Sequence, residues 1–237
     1  MIFYYVRHGD PIYEPDSLTE LGHKQAEALS KRFALYGLDE IYCSTSNRAI
    51  LTAEPTCKIL NKQKTLLDWT NEGYIFQFTS VDKDDLGNKC WVFHKQKYVD
   101  LFNSPAIRDL GNEWYKHPEI PQNMKDGVQI INREVDNFML SLGFKHDRET
   151  ASFTKVGDSP KRVALFAHEG CGKMFLSSLL DLPYPFVSTH LELGHSSVTT
   201  IFIPDEECGR ARVMQWSNDS HLYKEGLMTG YQNWIDI

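Results

Sequence analysis

Histidine occurs twice in this chain at the end of an apolar run. Ile2–Val6 is short, apolar and aromatic, and rich in strand formers. Arg7, His8 and Gly9 follow it at once, and Pro11 stops any extension. The run within Arg162–Ala167 is the most continuous apolar stretch of the chain, and it ends in His168. In open α/β sheets, ligands bind beyond the carboxyl ends of the strands. Taken alone, Arg7-His8-Gly9 reads equally well as an ordinary strand end with two polar residues. The second histidine, and Arg48 in the first turns of a helix that follows a further strand, shift that balance. Adjacent strands would make two guanidinium groups, two imidazoles and a helix N-terminus converge. Such a site suits a compact, doubly charged oxyanion, because guanidinium forks match phosphate oxygens and helix N-termini add oriented N–H donors.

These residues need a scaffold, and the pattern along the chain supplies one. A helix is expected from about Thr19 to Tyr36, capped by Ser17 with Glu20 or by Thr19, and ended by Gly37. Glu40–Cys43 reads as a second strand. Ser44 or Ser46 would cap a helix to about Leu60, with Pro55 inside it, and Thr65–Leu67 reads as a third strand. The order β-α-β-α-β implies parallel strands with covering helices. Residues 73–127 are rich in aromatics and charges and have no clean period. They are read as a helical and irregular insertion forming a lid over the ligand end of the sheet. Val128, Ile131, Val135, Phe138 and Leu142 mark an amphipathic helix. Lys145–Lys161 is polar loop or a loose hairpin, and a helix Lys173–Leu180 follows Gly170 and Gly172. Val198–Ile203 and Ala211–Trp216 flank a turn and suggest an antiparallel edge hairpin. The expected fold is one α/β domain over 1–237: three layers, α/β/α, with a mostly parallel mixed sheet.

Composition narrows the function. With 41% hydrophobic and 24% charged residues, the chain has an ordinary soluble globular make-up. A net charge of -7 and the absence of a basic cluster argue against nucleic acid as a partner. No apolar stretch approaches the ~20 residues of a membrane span, and no basic region precedes the first apolar run as in a signal peptide. Five scattered cysteines without a CxxC pair imply a reducing, cytoplasmic setting and no structural zinc.

Several motifs, in order, resemble the histidine phosphatase (phosphoglycerate mutase-like) superfamily. They are Arg7-His8-Gly9; Leu18-Thr19-Glu20-Leu21-Gly22-His23-Lys24-Gln25-Ala26; and Ile41-Tyr42-Cys43-Ser44 leading to Arg48-Ala49 and Thr52-Ala53. Later come Ala167-His168-Glu169-Gly170 and Asn218-Asp219-Ser220-His221-Leu222. The middle of the chain is not covered. The resemblance implies a metal-independent phosphatase without cofactor, acting on a small phosphorylated metabolite. His8 would be the nucleophile and form a phosphohistidine, while Arg7, Arg48 and His168 would hold the phosphoryl oxygens. The same resemblance leaves two alternatives: a mutase-type phosphotransferase, or a non-catalytic phosphate-binding domain. The family's general acid follows the second arginine by some two dozen residues. Glu72 fits that spacing and Asp68, one turn earlier, is the alternative. Two departures stand out. Glu169 occupies a position where glycine is more usual, and Asp10 follows Gly9; each carboxylate would repel phosphate unless it faces away or pairs with an arginine.

Other candidates have plainer readings. His8 with Asp10, or His168 with Glu169, lack the spacing of metal-ligand motifs. Cys171 lies at a helix start, but a cysteine-type phosphatase needs an arginine six residues on, where Ser177 stands. His190, His195 and His221 read as core or surface hydrogen-bonding groups. Trp91, Tyr98, Trp114 and Tyr115 read as the insertion's own core, with substrate contact as the alternative.

Overall fold

The computed structural model describes residues 1–230. Six strands form the main sheet: β1 (Ile2–Arg7), β2 (Glu40–Ser44), β3 (Thr65–Leu67), β4 (Arg162–Ala167), β5 (Val198–Phe202) and β6 (Arg212–Asn218). Their order is β6-β5-β1-β4-β2-β3. The pairs β1–β4, β4–β2 and β2–β3 are parallel, whereas β5 runs antiparallel to both β1 and β6. The sheet is thus mostly parallel with an antiparallel hairpin at one edge, as the sequence pattern implied.

Alternation along β1 and β4 builds the two helical layers. Side chains of successive strand residues point to opposite faces. Phe3, Tyr5, Val163, Leu165 and Ala167 enter one core, and Tyr4, Val6, Ala164 and Phe166 enter the other. The second core is closed by α1 (Glu20–Tyr36) and α2 (Asn47–Leu60), through Leu29, Phe33, Ala49 and Ala53. The first is closed by α4 (Gln122–Ser141) and α5 (Glu169–Leu180), whose Phe138 and Phe175 rings both meet Phe3. Burial of strand residues on both faces makes β1 and β4 the rigid centre of the fold, and both end at the ligand side.

Local chemistry explains the boundaries. Thr19, not Ser17, caps α1: its hydroxyl accepts from the Gly22 N–H at 3.0 Å, while Ser17 pairs with Ile12 in a two-residue bridge. The helix expected from Val128 begins earlier, at Gln122, and the one expected from Lys173 begins at Glu169. The start of α4 is mostly polar and that of α5 is rich in glycine, so neither belongs to the apolar period that marks the helix. The region without a clean period resolves into α3 (Glu72–Thr79), a short antiparallel pair (Ser80–Asp82 with Lys89–Trp91), helices Gln96–Phe102 and Pro105–Arg108, and 3-10 turns. The boundary at 127 therefore falls inside α4. Trp114, Phe102 and Ile107 are buried, not in a separate core of this region but in continuity with the core of the sheet, and Phe102 and Trp114 both meet Tyr184 outside it. Helix Tyr184–His190 has no mark in the sequence pattern. No helix among the described residues is long and apolar enough to cross a membrane.

The polar stretch after α4 is an antiparallel pair, Phe144–Asp147 with Ser152–Lys155. It is tied to the fold by an ionic network. His146 stands 2.9 Å from Asp136 through Nδ1 and 2.7 Å from Asp181 through Nε2, and Arg148 bridges the same two carboxylates. Burial pushes the His146 pKa down, but its hydrogen bonds to Asp136 and Asp181 outweigh that, and the net direction is up. A pKa raised on folding stabilises fully below the unfolded value and is lost as pH rises through the folded one. The stability difference between the wild type and His146→Gln is therefore expected to be largest below about pH 6.5 and to shrink at alkaline pH. Its size should be on the order of 1–2 kcal/mol. Thermal melts of both proteins across this range check it, and a pH-independent difference refutes it.

Candidate active site

β1 and β4 lie side by side, with Arg7 opposite Ala167, so the residues that follow each strand meet at the sheet's carboxyl edge. His8 and His168 have ring centroids 5.1 Å apart, and both are buried. The backbone turn after β1 is made possible by two glycines in close approach. A Cβ on Gly9 would meet the Gly22 carbonyl oxygen at 2.8 Å, and one on Gly22 would meet the Asp10 carbonyl oxygen at 2.2 Å. The start of α1 thus packs directly on the Arg7-His8-Gly9 turn. Thr52 of α2 locks the same turn, accepting from the Gly9 N–H at 2.9 Å while donating to the Arg48 carbonyl at 2.7 Å.

The tautomer of His8 follows from its partners. Its Nδ1 lies 2.7 Å from the Gly9 carbonyl oxygen, which only accepts, so Nδ1 carries the proton. Nε2 then holds a lone pair, which accepts from Arg48 Nε at 3.3 Å. Burial, followed by the neighbouring His168, Arg7 and Arg48 charges, pushes the His8 pKa well below the usual histidine value. Burial, Arg48 and Arg7 do the same to His168. Both imidazoles are neutral near pH 7. His168 stands at the N-cap of α5, with Nε2 2.8 Å from the Ser44 hydroxyl and Nδ1 3.7 Å from Glu72 Oε2.

Glu72 opens α3 and completes the cluster. Arg48 Nη2 donates to Glu72 Oε2 at 2.5 Å, and Arg48 Nη1 donates to Asp16 Oδ1 at 2.7 Å. Burial raises the Glu72 pKa; Arg48 and Arg7 pull it back only in part, so the net direction is up. Asp68 is exposed, in a 3-10 turn one step before α3, and its carboxylate makes none of these contacts. The geometry therefore brings together Arg7, His8, Arg48, Glu72 and His168, and leaves Asp68 outside.

The two intrusive carboxylates have partners. Glu169 Oε2 lies 2.9 Å from Arg7 Nη1 and Glu169 Oε1 lies 3.1 Å from the buried Lys173 ammonium. Burial opposes its ionisation, but a hydrogen bond with Glu192 and the charges of Arg7 and Lys173 hold it well below the ordinary carboxylate range. Asp10 accepts from the Thr19 hydroxyl at 2.7 Å and lies 3.4 Å from His195 Nδ1. The insertion reaches the same end of the sheet. Trp91 lies against Gly170, and the Phe93 ring is 4.2 Å from Lys173 Nζ.

Two residues at the site were not legible in the sequence. Asp16 grips Arg48 and accepts the Asn47 N–H at the start of α2, at 2.7 Å in both cases. His195, read as an ordinary core or surface histidine, lies 2.7 Å from Arg7 through Nε2, and its ring is 5.7 Å from that of His8. No local motif marks either one; both are joined to the site only by long-range packing.

The family model of the histidine phosphatase superfamily (branch 1) matches residues 3–79, which carry His8, Arg48 and Glu72. The fold matches the alpha-ribazole phosphatase from Shigella flexneri, with a TM-score of 0.59 and 15% identity over 92% of this chain and 97% of that one. It also matches the phosphoserine phosphatase from Entamoeba histolytica, solved with 3-phosphoglyceric acid (TM-score 0.58, 16% identity, 93% and 98% covered). A mycobacterial glucosyl-3-phosphoglycerate phosphatase gives a TM-score of 0.57 and 21% identity, with 91% and 98% covered. At these identities the similarity is one of fold. No curated protein matches the sequence. Residues 3–79 thus resemble the histidine phosphatase superfamily in sequence, and the chain as a whole shares the fold of these phosphatases.

Proposed function

We propose that this chain hydrolyses a small phosphate monoester through a phosphohistidine on His8. The observation that carries this reading is a neutral, buried His8 whose Nε2 lone pair faces Arg48, beside His168 and Glu72. A neutral imidazole is nucleophilic near pH 7 without a separate base. In the first step His8 Nε2 attacks phosphorus and the ester P–O bond breaks. Arg7, Arg48 and His168 hold the equatorial oxygens, where charge accumulates. Glu72, whose pKa is raised, gives its proton to the leaving oxygen. In the second step water attacks the phosphohistidine, Glu72 takes the proton of that water, and inorganic phosphate leaves with His8 restored. The insertion 73–127, with Trp91 and Phe93 against α5, serves in this reading as the lid that meets the rest of the substrate.

A metal-assisted hydrolase is the second reading, and it too has an observation behind it. His8, Glu72 and His168 offer three ligand atoms within 4.8 Å of one another. Against it, Arg48 sits 2.5 Å from Glu72 and 3.3 Å from His8. A divalent cation there would lie beside a fixed guanidinium, which repels it and already supplies its charge-neutralising role. A screen of phosphorylated metabolites run with and without a strong chelator separates the two. Turnover is expected to survive chelation unchanged. Loss of turnover, restored by zinc or magnesium, would overturn the phosphohistidine reading.

A further inference from the structure

We propose that His195 is a positioning residue which, anchored by Asp10, holds the Arg7 guanidinium for an oxyanion bound at His8. The proposal takes the identity of that oxyanion, a phosphoryl group, from the function proposed above. The chain of contacts runs Thr19 hydroxyl to Asp10 at 2.7 Å, Asp10 to His195 Nδ1 at 3.4 Å, and His195 Nε2 to Arg7 Nη2 at 2.7 Å. A guanidinium only donates, so His195 Nε2 accepts from Arg7, and the ring proton of the neutral imidazole is on Nδ1, on the side of Asp10. Burial, and then the Arg7 charge, push the His195 pKa down to about 3, so the ring is neutral.

A neutral acceptor does here what a carboxylate does not. Glu169 already sets one negative charge against Arg7 Nη1, and the Leu193 carbonyl accepts from the same nitrogen. A second carboxylate would cancel the charge that a phosphoryl group needs. An imidazole orients the fork and leaves the charge in place.

The backbone around His195 is built for this. Ser196 is fully buried with φ of 62°, a left-handed conformation that residues with a side chain avoid. Its N–H donates to the His8 carbonyl at 2.9 Å, and its hydroxyl lies 3.0 Å from His221 Nε2 and 3.4 Å from the Gln25 carbonyl. The strained residue next to His195 is thus pinned to the backbone of His8 itself. Local strain of this kind persists where the surroundings over-determine it, and it clusters at functional sites.

A double-mutant cycle tests the proposal, with the affinity for inorganic phosphate read by calorimetry. His195→Leu is expected to weaken binding about tenfold in the wild-type background and to change nothing in Arg7→Ala. His195→Gln, whose amide oxygen still accepts from Arg7, is expected to stay within about threefold of the wild type. Should His195→Leu fail to fold, Asp10→Ala carries the same cycle. Equal losses in both backgrounds, or a loss in His195→Gln as large as in His195→Leu, would overturn the proposal. Hydrolysis by the wild type is measured alongside. Coupling without turnover leaves the proposal standing and removes the hydrolase reading; turnover without coupling does the reverse.

Discussion

His8→Ala is expected to lower hydrolysis by on the order of 10⁴-fold or more, the scale seen when a covalent nucleophile is removed. The cause is specific. In the proposed mechanism Arg7, Arg48 and His168 remain to bind the phosphoryl group, but no lone pair faces phosphorus. Phosphate affinity should therefore change far less than turnover, and this separation identifies a lost nucleophile rather than a damaged site. The intermediate can be observed directly. Incubation with a labelled ester and quenching in alkali should trap label on the wild type that is stable to base and lost in acid. The His8→Ala protein should trap none. Label that persists in His8→Ala would exclude His8 as the nucleophile, and His168, the second imidazole at 5.1 Å, would be the next residue to test. Absence of both turnover and label in the wild type, with phosphate still bound, would favour a binding domain that kept the fold.

Glu72→Gln should give the second large effect, and its signature lies in the leaving group. Protonation strongly stabilises a departing alkoxide and only slightly stabilises an activated phenolate. The substitution should cost about 10²–10⁴-fold with an alkyl phosphate and much less with p-nitrophenyl phosphate. Glutamine keeps an oxygen for Arg48, so the guanidinium stays oriented and phosphohistidine should still form from the activated ester. Asp68→Asn, at an exposed position outside the cluster, should cost little and equally with both esters. The pH profile carries the same information. The raised pKa of Glu72 means that its proton is held to higher pH than on an ordinary glutamate, and is lost as pH rises further. Turnover of an alkyl phosphate should fall on that alkaline limb, and the limb should be absent in Glu72→Gln. A reversed pattern, with Asp68 carrying the leaving-group dependence, would show that the turn before α3 rearranges when substrate binds.

The first elements of the chain were readable from local features. The apolar runs Ile2–Val6 and Arg162–Ala167, the cap candidates Ser17 and Thr19 and the stop at Gly37 depend on residues close in sequence. Such signals survive without tertiary information. They suffice to put His8 and His168 at strand ends and Arg48 at a helix start, and so to suggest an oxyanion site. What they do not contain is the decision among near-equals. Glu72 and Asp68 stand one turn apart and both match the spacing. The fold separates them because Asn71 caps α3, accepting from the Gly73 N–H at 2.9 Å and donating to Thr45 at 3.0 Å, which aims Glu72 at Arg48. Glu169 looked repulsive beside His168, and only packing supplies Arg7 and Lys173 as its partners. His195 is the extreme case. It lies 188 residues from Arg7 in the chain, in a loop with no motif, and reaches the site only because β5 pairs antiparallel with β1. Strand pairing is a long-range choice made by burying both faces of a sheet, so the residues it delivers leave no mark on their own neighbours in sequence.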